Sequence, residues 1–519
     1  MKHVGTSIPR TDGPDKVTGR ARYVDDLTFP NMWHGVTVRS SEASAKLKAI
    51  SFKNTFDWSN VVTADVSDIP GTNVIYLMTE DQPALVDAEI KHAEEPVALI
   101  AAPTREMALE ARKHVELVTE PSEPLYDSAE SRNVKKRIYG DDNIFKHIRI
   151  EKGDAASAMK DADLVVEGTY HVGYQEQMYI EPQGVIAVPN DDGGITIYGS
   201  LQCPYYVIKA LSPLLGLPKE KVRVIQCVTG GGFGGKEEYP SMISAHAAIL
   251  AMKTKRPIKI IYDRSEDIAA TTKRHPAVIT HRTGVMKDGT LVAMDIDILL
   301  DGGAYLTLTP VVLSRAVIHA AGPYRCENLT INGDAVATNT PPNGAFRGFG
   351  APQVAFAIER QIDKVAKALG MAPLALRRHN MLKVGDTTAT GQVLKDSVGS
   401  ESVLEETVAL SEYEARWEEY SSGGHSTDRT RTGIGLSFFL HGAGFTGNGE
   451  GAIAGKLDVA TTEDGGIEIL TGSTDIGQGT RTIFPQIAAD TLRIEVEHIS
   501  MSDPDTQRVP DSGPTVASR

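Results

Sequence analysis

Cysteine is scarce: Cys203, Cys227 and Cys326 are the only three in 519 residues, far apart and with no C-x-x-C pair. That excludes a disulfide framework, a structural zinc ribbon and iron–sulfur clusters ligated by this chain, and it points to a reducing compartment. Positive charge is also short, with 53 Lys+Arg against 68 Asp+Glu and a net charge of −15. An acidic chain lacks the basic surface that releases counterions from a phosphate backbone, so no nucleic-acid partner is expected. No segment approaches the roughly 20 apolar residues that span a bilayer. The N-terminal Met1-Lys-His-Val-Gly-Thr-Ser-Ile-Pro9 has no apolar core of the signal-peptide kind. A cytoplasmic protein is expected. No internal period of about 20–50 residues is visible, which argues against a solenoid.

What is present is length and mixed patterning. A chain of 519 residues is too long for one ordinary core and predicts several domains. Short β-like and helical runs alternate from Gly19 to about Glu120. Among them are a buried-strand pattern at Pro96–Ala102, a helix from Thr104 and a strand at Val115–Val118. Residues 126–145 lack periodicity and read as a linker. Strands are expected at Leu164–Tyr170, Gly194–Tyr198, Val222–Gln226 and Ile258–Tyr262, with a helix at Pro240–Met252. Val354, Ile358, Ile362, Val365 and Leu369 share one helical face, and Gly370 is a natural stop. Glu401–Trp417 is helix-like. β-like segments return at Lys456–Thr461 and Ile467–Thr471, before a helix at Thr482–Leu492. The fold class is therefore mixed, α+β or α/β. The final Ser512–Arg519 reads as a turn inside a continuing domain, with more chain expected beyond it.

The strongest motif is Thr229-Gly-Gly-Gly-Phe-Gly-Gly-Lys-Glu237, between a strand and a helix. Its glycines permit tight turns and close approach to a ligand, and the helix start offers an anion site. Gly230, Gly232 and Gly235 satisfy a dinucleotide fingerprint, yet Lys255 stands where the acidic ribose partner belongs. The same loop ends Gly-Lys like a phosphate loop, but Glu237 replaces the magnesium-binding hydroxyl. A Gly-rich connection without a ligand is the plain alternative. Gly442–Gly447 repeats the spacing with no helix after it.

A second motif, Asn339-Thr-Pro-Pro-Asn-Gly-Ala-Phe-Arg-Gly-Phe-Gly350, sets Arg347 among small residues at a loop-to-helix junction, where its guanidinium can reach an oxyanion. Thr474-Asp-Ile-Gly-Gln-Gly-Thr480 opens the backbone around Gln478. Gln175 and Gln202 are further amides that could bind an oxygen, though each alone is an ordinary surface or strand-end residue.

These motifs, together with Asp511-Ser-Gly-Pro-Thr-Val-Ala-Ser518, stand in one register that closely resembles the molybdopterin-binding large subunit of the xanthine dehydrogenase/aldehyde oxidase family of molybdenum hydroxylases. The resemblance covers nearly the whole chain from Pro14 and corresponds to the N-terminal two thirds of such a subunit. It implies an N-terminal arm (1–16), an a/b hammerhead domain (17–125), the linker, a first molybdopterin-binding domain (146–400) and the start of a second (401–519). Molybdenum would be held by the pterin dithiolene and by no side chain.

The resemblance also implies roles. Gln202, in preference to Gln175, would approach a metal oxo group, the backbone at Phe233 and Gly234 would line its apical side, and Gly231 and Gly232 would also bind the cofactor. Arg347 would lie near an equatorial oxygen, and Phe346 would also bind the cofactor. Gly477, Gln478, Gly479, Ala517 and Ser518 would hold the pterin or its phosphate. Glu237 and Arg315 would bind opposite ends of a heterocycle between Phe349 and Phe439, with Phe438 an alternative to the latter.

The implied reaction is hydroxylation of a purine such as hypoxanthine or xanthine with water as the oxygen source. A nicotinate-like acid or an aldehyde hydroxylase, or a truncated non-catalytic scaffold, are the alternatives. The catalytic glutamate of the family falls later than Glu450, which is read as a loop residue. A C-terminal molybdenum-domain chain, a 2Fe-2S subunit and an FAD subunit are therefore expected partners. Molybdopterin, in its cytosine dinucleotide form, is the expected cofactor.

Overall fold

The computed structural model describes residues 2–424, 426–442 and 455–516. Two sheets organise it. A seven-stranded mixed sheet runs in the order Val222–Gln226, Ile195–Gly199, Gly184–Pro189, Ile258–Ile261, Trp33–Arg39, Pro96–Ala102, Val62–Ala64. A five-stranded sheet runs in the order Ile144–Lys152, Leu329–Ala337, Leu291–Gly303, Ala277–Val285, Leu164–Val172. Two three-stranded sheets complete the set: Glu89–Ile90, Ala45–Phe52 and Val115–Pro121 near the N-terminus, and Asp458–Thr461, Ile467–Leu470 and Ile499–Met501 near the C-terminus.

Composition explains the layers. Pro96–Ala102 is apolar throughout and every residue is buried, as a strand covered on both faces requires. The helix Tyr239–Thr254 is small and apolar all round, and it packs inside the molecule against Gly184–Pro189 and Ile258–Ile261. Helix Ala351–Leu369 instead carries one apolar stripe, laid on the five-stranded sheet, and stops at Gly370 with φ +68°. The sheet has its own core with helices Thr309–His319 and Ala351–Leu369. A second core joins the seven-stranded sheet to helices Pro204–Leu215 and Tyr239–Thr254.

Several segments differ from the sequence reading. The helix expected over Glu401–Trp417 is two, Ser400–Leu410 and Tyr413–Ser421, because Glu412 adopts φ +52° and Ser411 turns its hydroxyl back onto Thr407 O at 2.7 Å. The stretch read as a linker carries helix Ser128–Arg132, and its Asn143 is fully buried, donating to Lys136 O at 2.7 Å. Strand Trp33–Arg39 pairs with Pro96–Ala102 on one side and with Ile258–Ile261 on the other, so one sheet crosses the boundary expected near residue 125. Among the described residues no helix is long and apolar enough to cross a membrane.

Beneath the long helix, Arg377 is fully buried. Its Nη2 and Nε donate to Glu359 Oε2 at 2.8 and 3.1 Å, and its Nη1 to Asp363 Oδ1 at 2.9 Å. Glu359 also accepts from the Tyr324 hydroxyl and from Phe438 N at 2.6 Å. Removing the guanidinium strands a buried carboxylate, a loss of about 3–5 kcal/mol. Arg377→Leu is expected to lower unfolding free energy by that amount in denaturant titration; a change within about 0.5 kcal/mol, as at ordinary surface positions, contradicts this.

Candidate functional site

The site forms where loops from the two large sheets touch. The glycine-rich loop leaves strand Val222–Gln226 and enters helix Tyr239–Thr254. The Gly344–Gly350 loop lies between strand Leu329–Ala337 and helix Ala351–Leu369. Arg347 N donates to Phe233 O at 2.8 Å, so the two backbones are hydrogen-bonded directly. A Cβ on Gly234, whose φ is +104°, would stand 2.6 Å from Ala345 O and 2.9 Å from Phe346 Cα. Only glycine allows that approach. Phe233 and Phe349 hold φ of +53° and +50°, strained values for large side chains, one at each loop's turn.

Gln202 ties the motifs together. Its Oε1 accepts from Gly234 N at 3.0 Å and its Nε2 donates to Thr515 O at 3.2 Å. Its backbone N donates to Lys236 O at 2.8 Å, and its carbonyl accepts from Thr474 Oγ1 at 3.0 Å. Thr474 N in turn donates to Thr515 Oγ1 at 2.8 Å. Segments 229–237, 474–480 and 511–516, remote in sequence, thus meet on one buried amide, with 345–349 joined through Gly234. The Gln202 side chain is spent on these protein contacts.

Support comes from behind the loop. Lys236 is fully buried and donates to Glu181 Oε2 at 3.0 Å and Ser200 Oγ at 2.8 Å, with its ammonium 4.8 Å from the Tyr179 ring centroid. It faces inward, which removes the phosphate-loop reading. Burial lowers its proton affinity, and the Glu181 carboxylate opposes that shift. Glu181 also accepts from Gly230 N at 2.6 Å. Asp267 accepts from Tyr179 Oη and Gln183 N, both at 2.6 Å, and Gln183 Nε2 reaches Gly235 O. On the second loop, Arg274 stacks 4.0 Å from the Phe346 centroid and donates to Arg347 O at 2.8 Å and to Gln175 Oε1 at 2.6 Å. Burial brings the Arg274 guanidinium down to about 10. Glu181, Asp267 and Arg274 give no signal in sequence, because their partners lie tens of residues away.

The substrate-side residues fall into two groups. Glu237 is buried and has no side-chain hydrogen bond or ion pair among the described residues. Burial, reinforced by the neighbouring Glu238, pushes its carboxyl well above the usual range. Burial without a counter-charge favours its neutral form. Arg347 presents an exposed guanidinium with no hydrogen bond or ion pair among the described residues. Arg315, on helix Thr309–His319, is buried and donates to Gly442 O, while Gly442 N donates to His319 Nε2 at 3.1 Å. Phe349 packs half-buried against the core of the five-stranded sheet. Phe438 is buried in that core and 6.1 Å from the Tyr324 ring, whereas Phe439 is 59% exposed. Phe349 and Phe439 form no ring contact among the described residues. Ala517, Ser518 and Glu450 lie outside the described residues.

The Asp475–Gly479 turn opens helix Thr480–Leu492. Asp475 Oδ1 accepts from Gly477 N at 2.8 Å and Oδ2 from Arg481 N at 3.2 Å, so part of the helix start is satisfied from within. Gly477, with φ +116°, has open space where a side chain would stand. Among the described residues no group of three or more His, Cys, Asp or Glu side chains could hold a metal. The groups gathered at the loops are amides, backbone N–H groups and the free Arg347 fork, a donor set that suits an oxygen-rich organic cofactor.

Comparison with known proteins agrees with that donor set. Models of a molybdopterin cofactor-binding domain match residues 138–381 and 404–519, and the aldehyde oxidase and xanthine dehydrogenase a/b hammerhead domain matches 18–123. The chain is 35% identical over 518 residues to a probable xanthine dehydrogenase subunit from Bacillus subtilis (strain 168), covering 98% of this chain and 67% of that protein. It is 36% identical over 404 residues to the nicotinate dehydrogenase large molybdopterin subunit of Eubacterium barkeri, covering 78% of this chain and 95% of that one. The chain belongs to the xanthine dehydrogenase/aldehyde oxidase family of molybdenum hydroxylases. In fold it superposes on the aldehyde oxidoreductase of Desulfovibrio gigas with a TM-score of 0.90 at 28% identity, covering 99% of this chain and 58% of that one. The chain thus spans a little over half of that solved structure's length.

The loop contact predicts a graded response to added methyl groups. Gly234→Ala meets both an unfavourable φ and the Ala345 carbonyl, and Gly477→Ala only the φ. Gly234→Ala is expected to cost more than about 1 kcal/mol and to raise amide exchange over 345–349, with Gly477→Ala leaving that segment protected. Equal protection of 345–349 in both variants would refute the contact.

Proposed function

We propose that this chain is the molybdopterin-binding subunit of a multi-subunit hydroxylase acting on an N-heteroaromatic substrate, a purine such as hypoxanthine or xanthine. What carries this reading is the convergence of three motif loops on Gln202, with the fourth joined through Gly234, beside the buried Glu237. When bound, the cofactor supplies the molybdenum at which water-derived oxygen is added to an electron-poor C–H, with electrons leaving towards 2Fe-2S and FAD groups on other subunits.

The chain's own residues would do the binding and orienting. The glycine-rich loop at Gly231, Gly232, Phe233 and Gly234, and the Phe346–Arg347 turn, would frame the cofactor, with Arg347 offering a free planar donor fork. Gln202 would hold Gly234 in place and, on cofactor binding, exchange its contact with Thr515 for one to the cofactor. Gly477, Gln478 and Gly479, followed by Ala517 and Ser518, would cradle the pterin and its phosphate, read here as a cytosine dinucleotide. Neutral Glu237 would donate a hydrogen bond to a ring nitrogen or carbonyl oxygen. Arg315 would stabilise negative charge that develops at the far end of the ring, where fixed donors act without reorganisation. Phe349 would form one aromatic wall, and Phe439 the other if its segment folds over the ring.

A second reading, hydroxylation of a nicotinate-like heteroaromatic acid, is favoured by one observation: the nicotinate dehydrogenase large subunit is matched over 95% of its length. Partners of the kind expected from sequence, a chain supplying the C-terminal molybdenum domain together with 2Fe-2S and FAD subunits, are supported by the fact that both of these relatives are named as subunits. All three cysteines are free and buried, in keeping with a cytoplasmic complex.

Purification of the complex from its native host, with metal and pterin analysis, tests the assignment. Molybdenum and pterin are expected in stoichiometric amount with turnover of hypoxanthine; their absence overturns it. Turnover of nicotinate in place of purine selects the second reading. Glu237→Gln, which cannot present the same acidic proton, is expected to lower kcat/KM for the heterocycle at least tenfold, about 1.4 kcal/mol of transition-state stabilisation.

A further inference from the structure

Glu238 belongs to none of the motif positions discussed above, yet it joins both loops. It precedes helix Tyr239–Thr254 as its N-cap residue, next to Glu237, and its Oε1 accepts from Ala345 N at 3.0 Å. It also stands where a Cβ on Gly344 would fall, 1.7 Å from Oε1, so the second loop is seated directly on this carboxylate. Gln177 Nε2 holds the other side of the same residue, donating to Ala345 O at 2.8 Å.

The second oxygen is placed differently. Glu238 Oε2, Ser241 Oγ and Thr272 Oγ1 are buried without a hydrogen-bond partner, and all three residues line one cavity of about 30 Å³. One water needs roughly 10–15 Å³ and two to four polar partners, so the cavity suits a single shared water.

Two carboxyls side by side in a buried site cannot both ionise at little cost. Burial raises both carboxyls, but Glu238 has an N–H donor and the start of a 16-residue helix to offset that, and Glu237 has no such donor. No other charge around the pair reverses this order. Cys203 and Tyr206 face it from the start of helix Pro204–Leu215, with Asp511 behind them, and burial holds both in their neutral forms. Tyr239 and His92 line the cavity, and burial holds His92 neutral. Lys236 is turned to Glu181, Lys273 to Glu176 at 2.8 Å, and Arg274 to Phe346.

We propose that Glu238 is a positioning residue that seats the Ala345–Phe349 loop on the glycine-rich loop and carries the pair's single negative charge, so that Glu237 meets its ligand as a neutral hydrogen-bond donor. The site therefore selects a substrate that offers Glu237 a lone pair, such as an unprotonated ring nitrogen or a carbonyl oxygen, over one that offers an N–H. This selection rests on the assignment of Glu237 to the substrate.

Infrared spectroscopy of the purified complex, without substrate, tests it. The carbonyl band of a protonated carboxylic acid, assigned by its loss in Glu237→Gln, is expected to persist at neutral pH in the wild type. Glu238→Gln keeps an acceptor for Ala345 N and removes the charge. It is expected to lower the proton affinity of Glu237 about tenfold with amide protection at Ala345 unchanged. Glu238→Asp, a second variant that keeps the charge, is expected to restore wild-type proton affinity. A Glu237 already ionised at neutral pH in the wild type, or a titration unmoved by Glu238→Gln, would overturn the proposal. Failure of the hydroxylase reading shows instead in turnover and metal content, and the infrared titration needs neither.

Discussion

The structure depends on a close approach of two backbones. Gly234 lies against Ala345 and Phe346 with no room for a side chain, and Arg347 N donates to Phe233 O across the gap. One loop grows from the seven-stranded sheet and the other from the five-stranded sheet, so this contact joins the two layers at the point where function is concentrated. Gln202 then draws in the two C-terminal segments through Thr474 and Thr515. A site made of backbone in this way has high geometric precision, because each N–H is fixed by the fold rather than by a rotamer.

The interior electrostatics follow from that geometry. An acidic chain has sequestered several cations and paired them: Lys236 with Glu181, and Arg377 with Glu359 and Asp363. Such pairs are expensive to bury and add little net stability, but they hold a fixed arrangement because losing one partner is severe. Glu237 and Glu238 depart from this pattern, buried side by side with no ion pair among the described residues. Burial raises both carboxyls and favours the neutral form of Glu237, and a neutral acid is a directional donor where a carboxylate would only accept.

Much of the local structure is legible in the residues. Pro96–Ala102 and Val222–Gln226 have the bounds their apolar runs predict, and Gly370 ends its helix with the left-handed geometry expected of it. The five-stranded sheet is poorly legible beyond Leu164–Val172, since a strand such as Leu291–Gly303 mixes Asp295, Asp297 and Asp301 into a long apolar run with no clear period. Glu401–Trp417 keeps its helical pattern across a break that one residue, Glu412, decides by its backbone. The motif loops are recognisable by their glycines and order. Their mutual contacts, and the parts played by Glu181, Asp267, Arg274 and Glu238, carry no local pattern at all.

The sequence alone determined the family, the mixed α/β class and the loops on which the chemistry is built, because glycine at a tight turn and apolar runs in strands are requirements of local sterics and burial. Only the tertiary structure decided what those loops do to one another. It turned Lys236 inward, sent Phe438 into the core and left Phe439 outside, and placed two carboxyls together with one donor between them. These outcomes depend on distances between residues as much as 313 positions apart, as for Gln202 and Thr515. The ionisation of a buried group is set by whatever the fold brings within a few ångströms of it, and a one-dimensional pattern does not contain that information.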